Sequence, residues 1–212
     1  MNDCCCISGI RHWKGFSGIN LHIALIHYPV VNKNGATIAS AITNLDLHDI
    51  ARAAKTYALR SFQVVTPLED QQILAGRIVA HWTRGAGGDY NPRRREALMQ
   101  VRIGATLQEA IRAVGQQEGR RPCTVATCAR PQANAVSFDR LRQEMQNDDP
   151  YMLLMGTAWG LAPQVIDGAD RVLAPIGNHA AYNHLSVRCA AAIIMDRLIA
   201  VDAPTHDEEI KL

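Results

Sequence analysis

The sequence predicts an α/β fold: a mostly parallel sheet with helices on both faces. From Leu21 onward, short apolar runs alternate with amphipathic ones. Several apolar runs end at proline or glycine, as at Tyr28-Pro29 and Pro67. With 48% hydrophobic and 20% charged residues in 212, the chain can bury a sizeable core. It has no run of the roughly 18 to 20 apolar residues that a membrane-spanning helix needs.

Taken in order, Leu21–His27 reads as a buried first strand ended by Tyr28-Pro29. Asn44 is placed to cap a helix over Asp46–Leu59, because Leu47, Ile50, Ala51, Ala54 and Ala58 recur at helical spacing. His48, Arg52 and Lys55 fall on its other side. Phe62–Thr66 is the second strand and Leu68–Trp82 its helix. Gly85–Gly88 then opens a mobile, glycine-rich loop that displays Arg93, Arg94 and Arg95. Further strands are expected at Val101–Gly104, Pro122–Thr127, Met152–Met155 and Val172–Leu173, with helices at Leu107–Gln117 and Val136–Met145. The last helix, Asn183–Ala200, is apolar around most of its circumference, whereas a surface helix shows a single apolar stripe. That pattern predicts a covering beyond its own sheet, and a homodimer supplies one. Neither a repeat nor a linker divides residues 21–200, so one domain is expected there, between a disordered extension over 1–20 and an acidic tail over 201–212.

Formal net charge is only +2, but 18 of the 22 basic residues are arginine. Asp202, Asp207, Glu208 and Glu209 crowd the tail; without residues 201–212 the chain holds 21 bases against 16 acids, a net +5. Arginine suits bidentate phosphate contacts and stacking on bases, so a nucleic-acid partner is admissible. Cys4, Cys5 and Cys6 are contiguous and Cys123, Cys128 and Cys189 are scattered, with no CxxC pair and no zinc spacing. No metal is therefore expected. The N-terminus lacks the apolar core of a secretory leader, and with this cysteine usage the expected location is the cytoplasm.

The common catalytic signatures are absent: no GxGxxG after a strand, no GxxxxGK[ST], no HExxH and no GxSxG. The Gly85–Gly88 run follows a helix and lacks the lysine and hydroxyl of a phosphate-binding loop. More informative is Gly156-Thr157-Ala158-Trp159-Gly160-Leu161, where glycines flank a turn at the carboxyl end of a buried strand. Open α/β sheets bind ligands at that edge, and glycine lets a ligand approach the backbone. Ala174-Pro175-Ile176-Gly177 and Tyr182-Asn183-His184-Leu185-Ser186 follow within about thirty residues and can converge on the same pocket.

These three segments, with Val187-Arg188 leading into Ala190–Leu198, resemble the S-adenosylmethionine (SAM) site of the SPOUT methyltransferases. His27-Tyr28-Pro29-Val30 and Thr43-Asn44-Leu45-Asp46-Leu47-His48-Asp49-Ile50-Ala51-Arg52 are similar to one bacterial branch described as SAM-dependent RNA methyltransferases of uncharacterised substrate. The likeness runs from Leu21 to Leu198, and that branch has glycine where this chain has Ala158. It implies a carboxyl-terminal trefoil knot, a homodimer, SAM as cofactor, and tRNA or rRNA as partner. It also implies cofactor contacts from Gly156, Thr157, Gly160, Leu161, Pro175, Ile176, Tyr182, Asn183, His184, Leu185 and Ser186. A non-catalytic protein that keeps the fold and binds SAM or RNA is the alternative.

Because SAM carries an already activated methyl group, the protein must mainly align an RNA nucleophile and assist proton removal. Arg52 matches the arginine that related SPOUT enzymes place near the acceptor, in a motif opened by an Asn such as Asn44. An arginine is a poor base, so it would orient phosphate or lower the acceptor's pKa. His48, one turn earlier, is a candidate proton acceptor, and its plainer reading is a helix-surface histidine. Arg52 reads equally as an exposed partner of Asp46 or Asp49. Arg93, Arg94 and Arg95, joined by Arg120 and Arg121, are the candidate RNA-backbone contacts, with His27 and Asn32 as weaker ones. Trp82 and Trp159 read as packing residues.

Overall fold

Seven parallel strands form the frame of the molecule. The computed structural model describes residues 19–177 and 182–200; Cys4–Cys6, the acidic tail and nearly all of the expected amino-terminal extension lie outside them. Strand β1 (Leu21–Ile26) leads through a small hairpin, β2 (Val30–Val31) and β3 (Thr37–Ile38), to α1 (Asn44–Thr56). Next come β4 (Ser61–Val65), α2 (Glu69–Thr83), α3 (Ala86–Tyr90), α4 (Pro92–Leu98), β5 (Val101–Gly104) and α5 (Leu107–Glu118). The second half holds β6 (Cys123–Thr127), β7 (Ala135–Val136), α6 (Phe138–Glu144), β8 (Tyr151–Gly156), α7 (Pro163–Asp167), β9 (Arg171–Leu173) and α8 (Val187–Ile199). The strands lie in the order β5-β4-β1-β8-β6-β9-β7.

Side chains alternate across a strand, so β1 sends Leu21, Ile23 and Leu25 to one face and Ala24 and Ile26 to the other. The first set packs with α1, α2, α4, α6 and α8, the second with α5 and α7. Both faces of the sheet are covered, which is why β1 and β8 read as continuous apolar runs.

Several boundaries differ from expectation. Thr43, not Asn44, caps α1: its backbone is extended and its hydroxyl accepts from the Asp46 amide at 3.3 Å. Asn44 is the first helical residue, and α1 ends at Thr56, before Ala58 turns to φ +56. The glycine-rich segment is not an open loop. It forms α3 folded back on α2, where a Cβ at Gly88 would lie 2.5 Å from the Trp82 carbonyl oxygen and one at Gly87 would lie 2.7 Å from the His81 ring. Those glycines serve close packing. Ala135–Val136 pairs with β9, and Ser137 caps α6. Helix α8 starts at Val187 with Ser186 as its cap, leaving Asn183–Leu185 in a loop. Its neighbours α1 and α6, together with the sheet, cover Ala191, Ile194, Met195 and Leu198 and pack Val187, Ala190, Ile193 and Ile199. Much of its apolar girth is thus met inside its own chain.

The turn after β8 is laced to the connection after β1. Thr157 N donates to Ile26 O at 3.2 Å, Trp159 N to Val31 O at 3.1 Å, Val31 N to Gly160 O at 3.0 Å and Ala162 N to Pro29 O at 3.2 Å. To follow this path Ala158 adopts φ +52 and Gly160 φ +111. The left-handed conformation is costly for alanine and free for glycine. Ala158→Gly is therefore expected to stabilise the fold by about 1 kcal/mol, read as a higher urea midpoint; a lower one would refute the strain.

His22 and His27 are fully buried on β1 and just beyond it, and burial lowers each imidazole pKa from 6.5 to about 4. His22 Nδ1 lies 2.7 Å from Ser61 Oγ, and its other ring nitrogen is 3.5 Å from Glu118. As pH falls from about 6.5 to about 4, the unfolded chain takes up protons that these histidines do not, so stability drops by up to about 3 kcal/mol for each. Urea midpoints should fall between about pH 7 and pH 4.5, and His22→Gln should shrink that fall. An equal fall in the variant would remove His22 from this account.

Candidate active site

The loops at the carboxyl ends of β6, β8 and β9, with the segment before α8, enclose a cavity of about 520 Å³. The β8 turn forms one wall. A Cβ at Gly156 would lie 2.4 Å from the Leu161 amide nitrogen, so only glycine lets the turn close; one at Gly160 would meet nothing within 4 Å, so the backbone there is bare. Thr127, the last residue of β6, ties itself to β8 through Oγ1, which donates to Leu154 O at 2.9 Å. Asn183 Nδ2 donates to Ala129 O and Ile176 O, each at 3.1 Å, holding the post-β6 and post-β9 loops together. Gly156, Thr157, Gly160, Leu161, Pro175, Ile176, Asn183, His184, Leu185 and Ser186 all line this cavity, bringing together the segments singled out from sequence. Tyr182 is not among its lining; it stands exposed at the rim, its ring 6.4 Å from that of His184. Trp159 lines the mouth and is 61% exposed rather than packed inside.

Sequence reasoning missed part of the wall. Asp46 is nearly buried there, accepting from Thr43 Oγ1 at 2.5 Å and from Arg188 Nη1 at 3.2 Å. Arg188 also reaches Asp49 at 3.6 Å. Asp46 is the one carboxylate among the described lining residues. Ser40 lines the cavity and joins a chain of side chains: His27 Nδ1 is 3.0 Å from Ser40 Oγ, which is 2.5 Å from Thr157 Oγ1. The low pKa of His27, caused by burial and opposed by Asp46, keeps it neutral at pH 7. No local pattern marks Asp46 and Arg188 as partners, because 142 residues separate them.

Other expected site residues lie elsewhere. Asn44 is exposed on α1 and outside the cavity. His48 sits edge-on against Trp82, ring centroids 5.4 Å apart, with its pKa lowered first by burial and then by Arg94. Arg52 does not pair with Asp46 or Asp49, both of which Arg188 holds. It lines a second cleft of about 490 Å³ with Lys55, Arg93 and Arg94. Arg95 lies outside that cleft, its side chain close to Gly88. His27 is enclosed and cannot meet RNA at the surface. Asn32 shapes the β2–β3 turn, its Oδ1 accepting from the amides of Asn34 at 2.9 Å and Ala36 at 3.0 Å. Arg120 pairs with Asp149 and Arg121 with Asp170, at the amino ends of the strands and away from both cavities.

Among the described residues no helix is long and apolar enough to cross a membrane, and no cluster of metal-ligating side chains occurs. The chain is 47% identical over 182 residues to a protein of Oleidesulfovibrio alaskensis named tRNA (guanine-N(1)-)-methyltransferase, a match covering 86% of this chain and 42% of that one. It thus spans less than half the length of that relative. It is 40% identical to an uncharacterised protein of Aquifex aeolicus, covering 85% of this chain and 89% of the other. In fold it is similar to a TrmH/SpoU tRNA modifying enzyme of A. aeolicus, with a TM-score of 0.51 at 13% identity over 85% of this chain and 74% of that one. Residues 20–200 match the SAM-dependent RNA methyltransferase family model, and the chain therefore belongs to that family.

Proposed function

We propose that this chain methylates RNA, with SAM bound in the loop cavity. The observation that carries the proposal is the turn that Gly156 lets close and Gly160 leaves bare, set against a cavity within the usual size range of small-molecule sites. Bound SAM supplies an activated methyl group. Gly156, Gly160 and Ile176 are the segments to hold it by main chain, with Leu161, Met155 and Ile176 as apolar wall and Thr157, Asn183 and His184 as polar contacts. Asp46 and Arg188 add one negative and one positive group to the wall, which suits the zwitterionic methionine end. Arg188 and Thr43 hold the Asp46 carboxylate in place, so the wall is preorganised rather than assembled on binding.

The proposal includes two finer features. For a carboxyl-terminal knot, which the resemblance implies, the supporting contact is the Asn183 bridge from the segment before α8 to the post-β6 loop. A homodimer is supported by apolar side chains at the cavity mouth, where Trp159, Tyr182 and Leu185 are 61%, 80% and 46% exposed. A second copy is the occupant we assign to that rim. A clean monomer in light scattering would reject it. tRNA is the first substrate to test, on the strength of the O. alaskensis relative's name. The position methylated there does not carry over, because 58% of that protein lies outside its 42% match.

Calorimetry should show SAM and S-adenosylhomocysteine binding to the wild type, and Gly156→Ala should weaken both at least tenfold, because the new methyl collides with the Leu161 amide. Unchanged affinity in a folded Gly156→Ala variant would move SAM out of this cavity. Labelled methyl groups should pass from SAM to tRNA. SAM binding without transfer to tRNA or total RNA would favour a non-catalytic binding protein.

A further inference from the structure

We infer that the cleft between α1 and α4 is a dedicated RNA-phosphate site, separate from the methyl-transfer cavity, and that Arg52 binds phosphate there. The inference rests on the RNA-directed reading above. Arg52 and Lys55 come from α1, one turn apart, and Arg93 and Arg94 from the first turn of α4, around a cleft of about 490 Å³. Among the described residues none of these four cations has a carboxylate within ion-pair distance. Arg120, Arg121, Arg140, Arg142, Arg171 and Arg188 are paired; other described arginines, such as Arg77 and Arg112, are not, but only in this cleft do four unpaired cations share one described lining. Among the described residues Glu96 is the sole acid lining the cleft, so the positive charge there is largely uncompensated.

The cleft is also built to hold its cations ready. Arg94 lies over the Trp82 ring at 4.6 Å, and its Nε is buried without a partner. Asn91 caps the helix that carries it, accepting from the Arg94 amide at 3.0 Å. Stacking fixes the guanidinium while leaving donors free, a geometry that suits the paired oxygens of a phosphodiester better than a single acceptor. His48 packs edge-on against the same Trp82 ring, and burial followed by the Arg94 charge lowers its pKa. Asp46 in the cavity and Arg52 in the cleft share one helix, six residues and about 9 Å apart along its axis. One strand of RNA can therefore touch both, with the nucleotide to be methylated at the cavity and a neighbouring phosphate on Arg52.

The test compares wild type with Arg52→Ala/Lys55→Ala, Arg93→Ala, Arg52→Lys and, as a paired-arginine control, Arg120→Ala. These side chains are exposed, so the variants are expected to fold, which circular dichroism checks. Labelled tRNA affinity is followed against salt. The double variant and Arg93→Ala should bind several-fold more weakly, and the salt slope should fall by about 0.7 to 0.9 for each phosphate that the variant no longer neutralises. SAM affinity should not change. Arg52→Lys should keep most of the binding, and the drop in activity of the double variant should fall on KM for RNA more than on kcat. Wild-type slope and affinity in both cleft variants overturn the inference, as does a drop confined to kcat. Should wild type bind SAM but no RNA, the RNA reading fails, and titration with tripolyphosphate then judges the cleft alone. Tripolyphosphate binding that the double variant abolishes supports a phosphate site; no binding, or binding unchanged in that variant, overturns one.

Discussion

The main-chain lacing of the β8 turn onto the β1–β2 connection is the constraint on which the rest of this molecule depends. At the carboxyl edge of a parallel sheet, strands end with amides and carbonyls that no neighbour pairs, and burying them unpaired is costly. Here Thr157, Trp159, Gly160 and Ala162 exchange hydrogen bonds with Ile26, Pro29 and Val31. Gly156 must lack a side chain for that contact to form, and Ala158 must accept a left-handed backbone. Satisfied in this way, the turn becomes a fixed wall instead of a mobile loop. Ser40 and His27 brace it from behind through Thr157. The Asn183 bridge can close the opposite wall because β6 and β9 are adjacent in the sheet.

Much of this architecture was legible in the sequence, for identifiable reasons. Strands β1 and β8 are buried on both faces, so their apolar runs stand out against any neighbour. The three cavity segments were legible because glycine and proline punctuate strand ends for conformational reasons that act locally. The α1 cap was not. Thr43 and Asn44 are both competent caps side by side, and Thr43 holds the position while also bonding the Asp46 carboxylate, which Arg188 fixes from the far end of the chain. Strands β2, β3 and β7 have two residues each, too few for any period to show. The Gly85–Gly88 run read as an open loop because its reason for being glycine is the surface of α2, which is tertiary information.

The same distinction explains the candidate residues. His48, Arg52 and Lys55 share a side of α1 away from its buried apolar residues, where periodicity places them. It could not say what that face meets. Packing turns His48 toward Trp82 and Arg52 toward α4, while Asp46, on a different face of the helix, meets the cavity. The apolar girth of α8 shows a similar limit: circumference alone cannot distinguish burial under α1 and α6 from burial under a second subunit.

The charge distribution follows from these placements. A net charge of +2 suggests no strong electrostatic partner. Yet the ion pairs of Arg120, Arg121, Arg140, Arg142, Arg171 and Arg188 cancel part of the basic charge at the sites where it sits. Charges paired at close range have little far field, because their potentials nearly cancel and salt screens the remainder within about 10 Å. What an approaching polyanion meets is therefore the unpaired cations, and four of them, Arg52, Lys55, Arg93 and Arg94, gather around the one cleft between α1 and α4. Net charge sums over the whole chain, whereas attraction depends on what is left unpaired at one face. On that basis a nearly neutral protein can present a strongly basic cleft and still keep a carboxylate in the adjoining cavity, where Arg188 shields it.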